Sequence, residues 1–119
     1  MKEVYGVRFN INGKGLYFRD YSEKRQKDVF AFPLNGMDLS KVEEIIGHKY
    51  PLHGEVTADN LEIVLLKGEA PPLNKWREIV FKECEIVNVR KWSELEKYAN
   101  DTGKSLNEVD LFSFLLGEN

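Results

Sequence analysis

Cysteine, histidine and long apolar stretches are all scarce in this chain of 119 residues, and each scarcity excludes a class of protein. The single cysteine, Cys84, cannot close an internal disulfide, so the core alone must hold the fold. Such usage points to a reducing, cytoplasmic compartment. No uninterrupted apolar run is longer than that at Ile63-Val64-Leu65-Leu66, whereas a membrane-spanning helix needs about 20 apolar residues. No contact with a membrane is expected. Met1-Lys2-Glu3-Val4-Tyr5 sets no apolar run behind a basic segment, so no secretory signal is expected either. Gly-x-Ser-x-Gly elbows, dinucleotide fingerprints and Ca²⁺ loops do not occur. Gly13-Lys14-Gly15 is no phosphate loop, because no Ser or Thr follows the lysine and the segment joins strand to strand.

What is present reads as one globular domain over residues 1–119. Hydrophobic residues make up 42% and charged residues 31%, too apolar for a disordered chain. This length suffices to bury roughly two-thirds of the unfolded surface. The net charge of −3 is unevenly spread. Residues 1–54 hold nine Lys/Arg against seven Asp/Glu, and residues 55–119 hold eight against thirteen. An acidic whole is a poor bulk partner for nucleic acid, since that affinity comes from neutralised phosphates.

Periodicity predicts an α+β fold. A strand-rich body over 1–91 forms a mostly antiparallel sheet, or a small barrel, of about five or six strands. One short helix lies between strands, and two helices follow over 92–119. Tyr5, Val7, Phe9 and Ile11 alternate with polar or small residues, as a half-buried strand requires. Asn12-Gly13-Lys14-Gly15 then reverses the chain, and Leu16-Tyr17-Phe18 begins the return. Val29-Phe30-Ala31-Phe32 is a third strand, stopped or placed at an edge by Pro33. Ser40 and Glu43 fit a capping box for a helix that ends at Gly47. Leu61 to Lys67 is apolar on both faces at its end, hence central. Gly68 to Pro72 reads as a stiff loop. From Trp76 to Arg90 the apolar phase shifts repeatedly, which calls for a bulge or turn near Lys82-Glu83. Ser93-x-x-Glu96 and Ser105-x-x-Glu108 mark two helix starts.

Four places carry potential chemistry. His48 and His53 are the only histidines, with Glu55 close by. Two imidazoles can act as general acid and base near neutral pH, the requirement of a metal-independent hydrolase or nuclease. Pro51 forbids a regular helix carrying both, and a zinc site lacks two further ligands, so neither a metal nor a cofactor is expected. Lys24, Arg25 and Lys27 form a basic loop with Tyr17 and Tyr21 beside it for stacking on bases, diluted by Asp20, Glu23 and Asp28. Cys84, between Glu83 and Glu85, is expected to lie in the core with Val80 and Ile86 as a small hydrophobe.

The fourth place is the C-terminal third. Val87-Asn88-Val89-Arg90, then a helix, then Thr102-Gly103-Lys104-Ser105-Leu106-Asn107-Glu108-Val109 resembles the strand–helix–helix unit of ribbon-helix-helix repressors over about a quarter of the chain. The resemblance implies that Asn88 and Arg90 read a DNA groove. The chain departs from that pattern in its short first helix, in 86 preceding residues foreign to it, and in two lysines against six acids over 92–119. The last helix is apolar nearly all round: Leu106, Val109, Phe112 and Leu116 form one stripe, and Leu111, Phe114 and Leu115 fall elsewhere. Such a helix needs cover on several sides, and a protein partner or homodimer contact at Phe112, Phe114 and Leu115 is expected. The sequence therefore favours a non-catalytic, regulatory binding domain acting through protein–protein contacts. Nucleic-acid binding and a small hydrolase are the alternatives.

Overall fold

Asn12 and Gly13 both adopt left-handed backbone, with φ of 53° and 80°, and this pair of residues turns the first strand back on itself. Two consecutive positive φ values match the right-handed twist of the flanking strands, and an Asn-Gly pair reaches them at least cost. The computed structural model describes residues 3–15, 29–33, 38–51, 53–69, 79–81 and 83–117. The turn joins β1 (Glu3–Ile11) to β2 (Lys14–Gly15), with Ile11 opposite Lys14. The expected return strand at Leu16-Tyr17-Phe18 lies outside the described residues, as do Trp76 and residues 70–72 of the expected loop, whereas Gly68 and Glu69, expected in that loop, end the strand Leu61–Glu69.

Three strands of nine residues make the body: β1, β6 (Leu61–Glu69) and β8 (Glu83–Lys91). All ladders are antiparallel, and β6 sits between the other two as its apolar run requires. β3 (Val29–Pro33) pairs with β1, and β7 (Ile79–Phe81) pairs with β3, giving the order β7-β3-β1-β6-β8. The strand at Val29 does end at Pro33 but lies inside this order, not at its edge. β4 (Lys49–Tyr50) and β5 (Gly54–Glu55) form a separate small ladder.

The mixed α+β class and antiparallel pairing agree with the sequence reading, but the sheet is not a barrel. Among the described residues no ladder links β8 back to β7 or β3.

The helices lie on one face of the sheet. Val7, Phe9, Ile11, Leu61, Ile63 and Leu65 pack there with Leu39, Val42 and Ile45, with Trp92 and Leu95, and with Leu111, Phe114 and Leu115. α1 (Leu39–Glu43) is capped by Asp38, whose Oδ1 accepts from the Ser40 N–H at 3.1 Å, so the expected cap at Ser40 is displaced by two residues. Asn107, from far along the chain, accepts from the Leu39 N–H at 3.1 Å and donates to Ser40 Oγ at 2.9 Å. A helix of five residues has little stability of its own. This long-range cap fastens it to the C-terminal segment.

α2 (Trp92–Thr102) follows β8 without a loop and ends at Gly103, whose φ of 69° suits a residue lacking Cβ. Its capping partner is Glu94, which accepts from the Lys91 N–H at 3.2 Å, and Ser93 plays no part in the cap. The expected final helix is broken in two. Ser105 and Glu108 form their predicted box, but it closes only a 3-10 turn over Leu106–Glu108. Val109 is extended, and Asp110 caps a fresh helix, α3 (Leu111–Leu116). The stripe of Leu106, Val109, Phe112 and Leu116 therefore does not exist as a helical face.

Candidate functional site

β8 is the last strand of the sheet order and carries the candidate site. Leu65 stands opposite Asn88 while Leu66 stands opposite Ile86, so Val87 is one residue too many and forms a bulge. The phase shift between Ile86 and Val87 has this origin. Residues opposite each other in a ladder share a face. Asn88 and Arg90 thus lie with Leu65 and Ile63 on the face that carries the helices, whereas Ile86 and Val89 lie with Leu66 and Val64 on the other.

On the helix face both polar side chains hold α3. The Asn88 Nδ2 donates to the Leu115 carbonyl. Arg90 Nη1 donates to the Phe114 carbonyl at 2.8 Å, and its Nε donates to Glu94 Oε2 at 2.7 Å. The guanidinium also lies over the Phe114 ring, 4.3 Å from its centroid. Carbonyls at a helix C-terminus lack partners in the helix and carry partial negative charge, so an arginine there is well matched. The hydrogen bond to Arg90 holds the Glu94 carboxyl below the usual carboxylate range. The two residues that a DNA-reading strand would present are committed to fastening the chain's own last helix.

The same contacts account for the C-terminal apolar residues. Phe114 and Leu115 are 1% and 0% exposed within the single chain. Phe112 is half-buried, with its ring edge-on to Tyr5 at 4.9 Å between centroids. Breaking the helix at Val109 lets α3 turn its apolar side chains onto the sheet, so the reason for expecting an interface at Phe112, Phe114 and Leu115 falls away.

Apolar exposure occurs instead on β8. Ile86, Val87 and Val89 are 57%, 38% and 40% exposed, and they are the exposed large hydrophobics among the described residues. The expectation that Ile86 faces the core is reversed. Cys84, two residues away, is half-buried instead of enclosed. Burial pushes its thiol pKa up, while the nearby Arg8 charge acts in the opposite sense. A half-exposed thiol kept protonated is a poor nucleophile.

His48 precedes β4 and His53 lies in the turn between β4 and β5, so the two fall at opposite ends of that small hairpin. His48 is exposed, and its carbonyl accepts from the Val56 N–H at 2.9 Å. His53 is half-buried, edge-on to the Tyr50 ring at 6.4 Å. Glu55 is exposed and stands opposite Lys49 in the small ladder. Among the described residues no group of three His, Cys, Asp or Glu is placed to hold a metal ion. Lys24, Arg25 and Lys27 lie outside the described residues. No helix among those described is long and apolar enough to cross a membrane. Comparison with known protein families, with curated proteins and with solved structures finds no match to this chain.

The exposed patch has a signal in the sequence. With uninterrupted alternation Ile86 would fall on one face of the strand and Val87 and Val89 on the other, more apolar side chains than a single helix-covered face absorbs. The long-range cap from Asn107 has no such signal, because nothing local links it to residues 38–40.

Proposed function

We propose that this chain is a non-catalytic binding domain that works through protein–protein contact, and that its contact surface is the outer part of β8 at Ile86, Val87 and Val89. One observation supports this reading: the exposed large hydrophobics among the described residues all fall within four residues of one terminal strand. Scattered apolar residues on a surface need no explanation, but a contiguous group on a sheet edge is a template for another chain. The strand is fixed in place for such a role, because its opposite face is fastened to α3 by Asn88 and Arg90.

The test is a photo-crosslinking residue, benzoylphenylalanine, placed at Val87 and irradiated in cells of the source organism. Discrete protein adducts at position 87, with none at the exposed control position Lys97 on α2, are the expected result. Equal yields at both positions, or none at 87, refute the reading.

A further inference from the structure

We propose that the partner is a second copy of this chain, its β8 paired antiparallel with β8 of the first so that Ile86 stands opposite Val89 and Glu85 opposite Arg90. This inference rests on the protein-contact reading and names the partner.

Charge gives the direction. β8 begins with Glu83 and Glu85 and ends with Arg90 and Lys91. An antiparallel pair brings the acidic start of one strand to the basic end of the other, whereas a parallel pair sets like against like. The bulge gives the register. Val87 switches the alternation midway, so Cys84, Ile86, Val89 and Lys91 share one face, and Glu85, Asn88 and Arg90 share the other. A two-fold pair must set residues of the same face opposite each other. The stated register does so, and it yields two Ile86–Val89 contacts and sets each Glu85 carboxylate opposite an Arg90 that keeps its bonds to Phe114 and Glu94. Sliding by two residues sets Ile86 opposite Lys91 in one direction, or Cys84 opposite Val89 in the other. Either slide loses the apolar match.

Two N–H groups of the strand's outer edge are satisfied in the single chain. The Val89 N–H donates to Asn88 Oδ1 at 2.9 Å, and the Lys91 N–H donates to Glu94 Oε1 at 3.2 Å. Pairing exchanges the first of these bonds for one to the Ile86 carbonyl of the second copy. That one-for-one exchange gains little, so the drive comes from the apolar and charged side chains, and the association is weak and reversible.

The experiment is sedimentation equilibrium on the full chain from roughly 5 to roughly 500 μM, a range suited to a weak, transient contact. Ile86→Lys places a charge opposite Val89 and is expected to weaken association about tenfold or more. Glu85→Lys opposes Arg90 with a like charge, and its effect shrinks in high salt. Glu96→Lys, an equal charge change on exposed α2, leaves association unchanged. In purified chain carrying benzoylphenylalanine at Val87, the expected adduct has twice the chain's mass. A folded chain that stays monomeric throughout overturns the proposal, as does a dimer insensitive to both β8 variants. The cellular crosslink separates the two readings. A monomer whose position 87 captures a different protein overturns self-pairing and leaves the protein-contact reading standing. A monomer with no capture overturns both.

Discussion

Replacing Arg90 by alanine separates a structural arginine from a nucleic-acid reader, and the geometry sets the size of the effect. The side chain makes three contacts: with the Phe114 carbonyl at 2.8 Å, with the Phe114 ring at 4.3 Å and with Glu94 at 2.7 Å. A charge-assisted hydrogen bond contributes roughly 1.5–3 kcal/mol. The Phe114 carbonyl keeps the Gly117 N–H at 3.1 Å after the substitution, so it is not orphaned and the low end applies. The ring contact adds about 0.5–1 kcal/mol. The Glu94 side chain is 44% exposed, so solvent screening leaves that pair no more than about 0.3–0.5 kcal/mol. The three are not additive, and Arg90→Ala should cost about 2 kcal/mol. Arg90→Lys keeps a point charge but loses the planar fork and the stacked plane, and should cost about half as much. Urea unfolding, followed by circular dichroism and extrapolated linearly, measures both. Hydrogen exchange should show the amides of α3 opening first. An Arg90→Ala chain within about 0.5 kcal/mol of the parent, which is the spread of ordinary surface substitutions, refutes the reasoning. Preserved stability together with loss of sequence-dependent DNA binding would instead make Arg90 a reader.

Two further outcomes follow from the C-terminal segment. Asn107→Ala removes both bonds to α1 and should lower stability by about 1 kcal/mol in the same urea assay, with α1 amides exchanging faster; an unchanged urea midpoint would show that the cap is idle. Glu94, Glu108 and Asp110 all have carboxyl pKa values lowered, chiefly by hydrogen bonds from the Arg90 side chain, the Ser105 hydroxyl and the Ser113 backbone respectively. A folded-state pKa below the unfolded one gives stability that is present above the ordinary carboxylate range of about 4 and is lost as pH falls through the lowered values. Thermal stability should therefore fall below about pH 4, and Ser105→Ala, which removes the hydroxyl that chiefly lowers Glu108, should flatten that slope; an identical slope in parent and variant contradicts the assignment.

Much of the fold was legible because its signals are local. Strict alternation from Tyr5 to Ile11 put Val7, Phe9 and Ile11 in the core, and the apolar run at 63–66 put β6 between two partner strands. The illegible parts are those where a distant group wins over the local pattern. Ser40 looked like a cap, but Asp38 takes that role and Asn107 takes Ser40's hydroxyl. Leu106 to Leu116 looked like one helix until the Asp110 side chain claimed the Ser113 N–H at 3.3 Å and restarted it. That restart turned an all-round apolar helix into one whose apolar side chains fit under the chain's own strands, removing the premise for an interface there. Asn88 and Arg90 share one face of a strand and there bond the Leu115 and Phe114 carbonyls of α3, a contact that no local pattern announces.

Both sides of the candidate site trace back to one extra residue. Had β8 alternated without interruption from Cys84, Asn88 and Arg90 would share the face of Cys84 and Ile86, and Val87 and Val89 would point toward the helices. The Val87 bulge reverses this for everything that follows it. It brings the two polar side chains under the C-terminus of α3, where carbonyls need donors, and turns Val89 to the side already occupied by Ile86. A regular strand would bury the valines at the cost of leaving α3, a helix of six residues, without the bonds that hold it. The exposed apolar group on β8 is thus coupled to the fastening of the C-terminus. Val87 and Val89 cannot be moved inward without also moving Asn88 and Arg90 outward, and this coupling gives a reason for the valines to stand beside Ile86 on a strand that is otherwise well built.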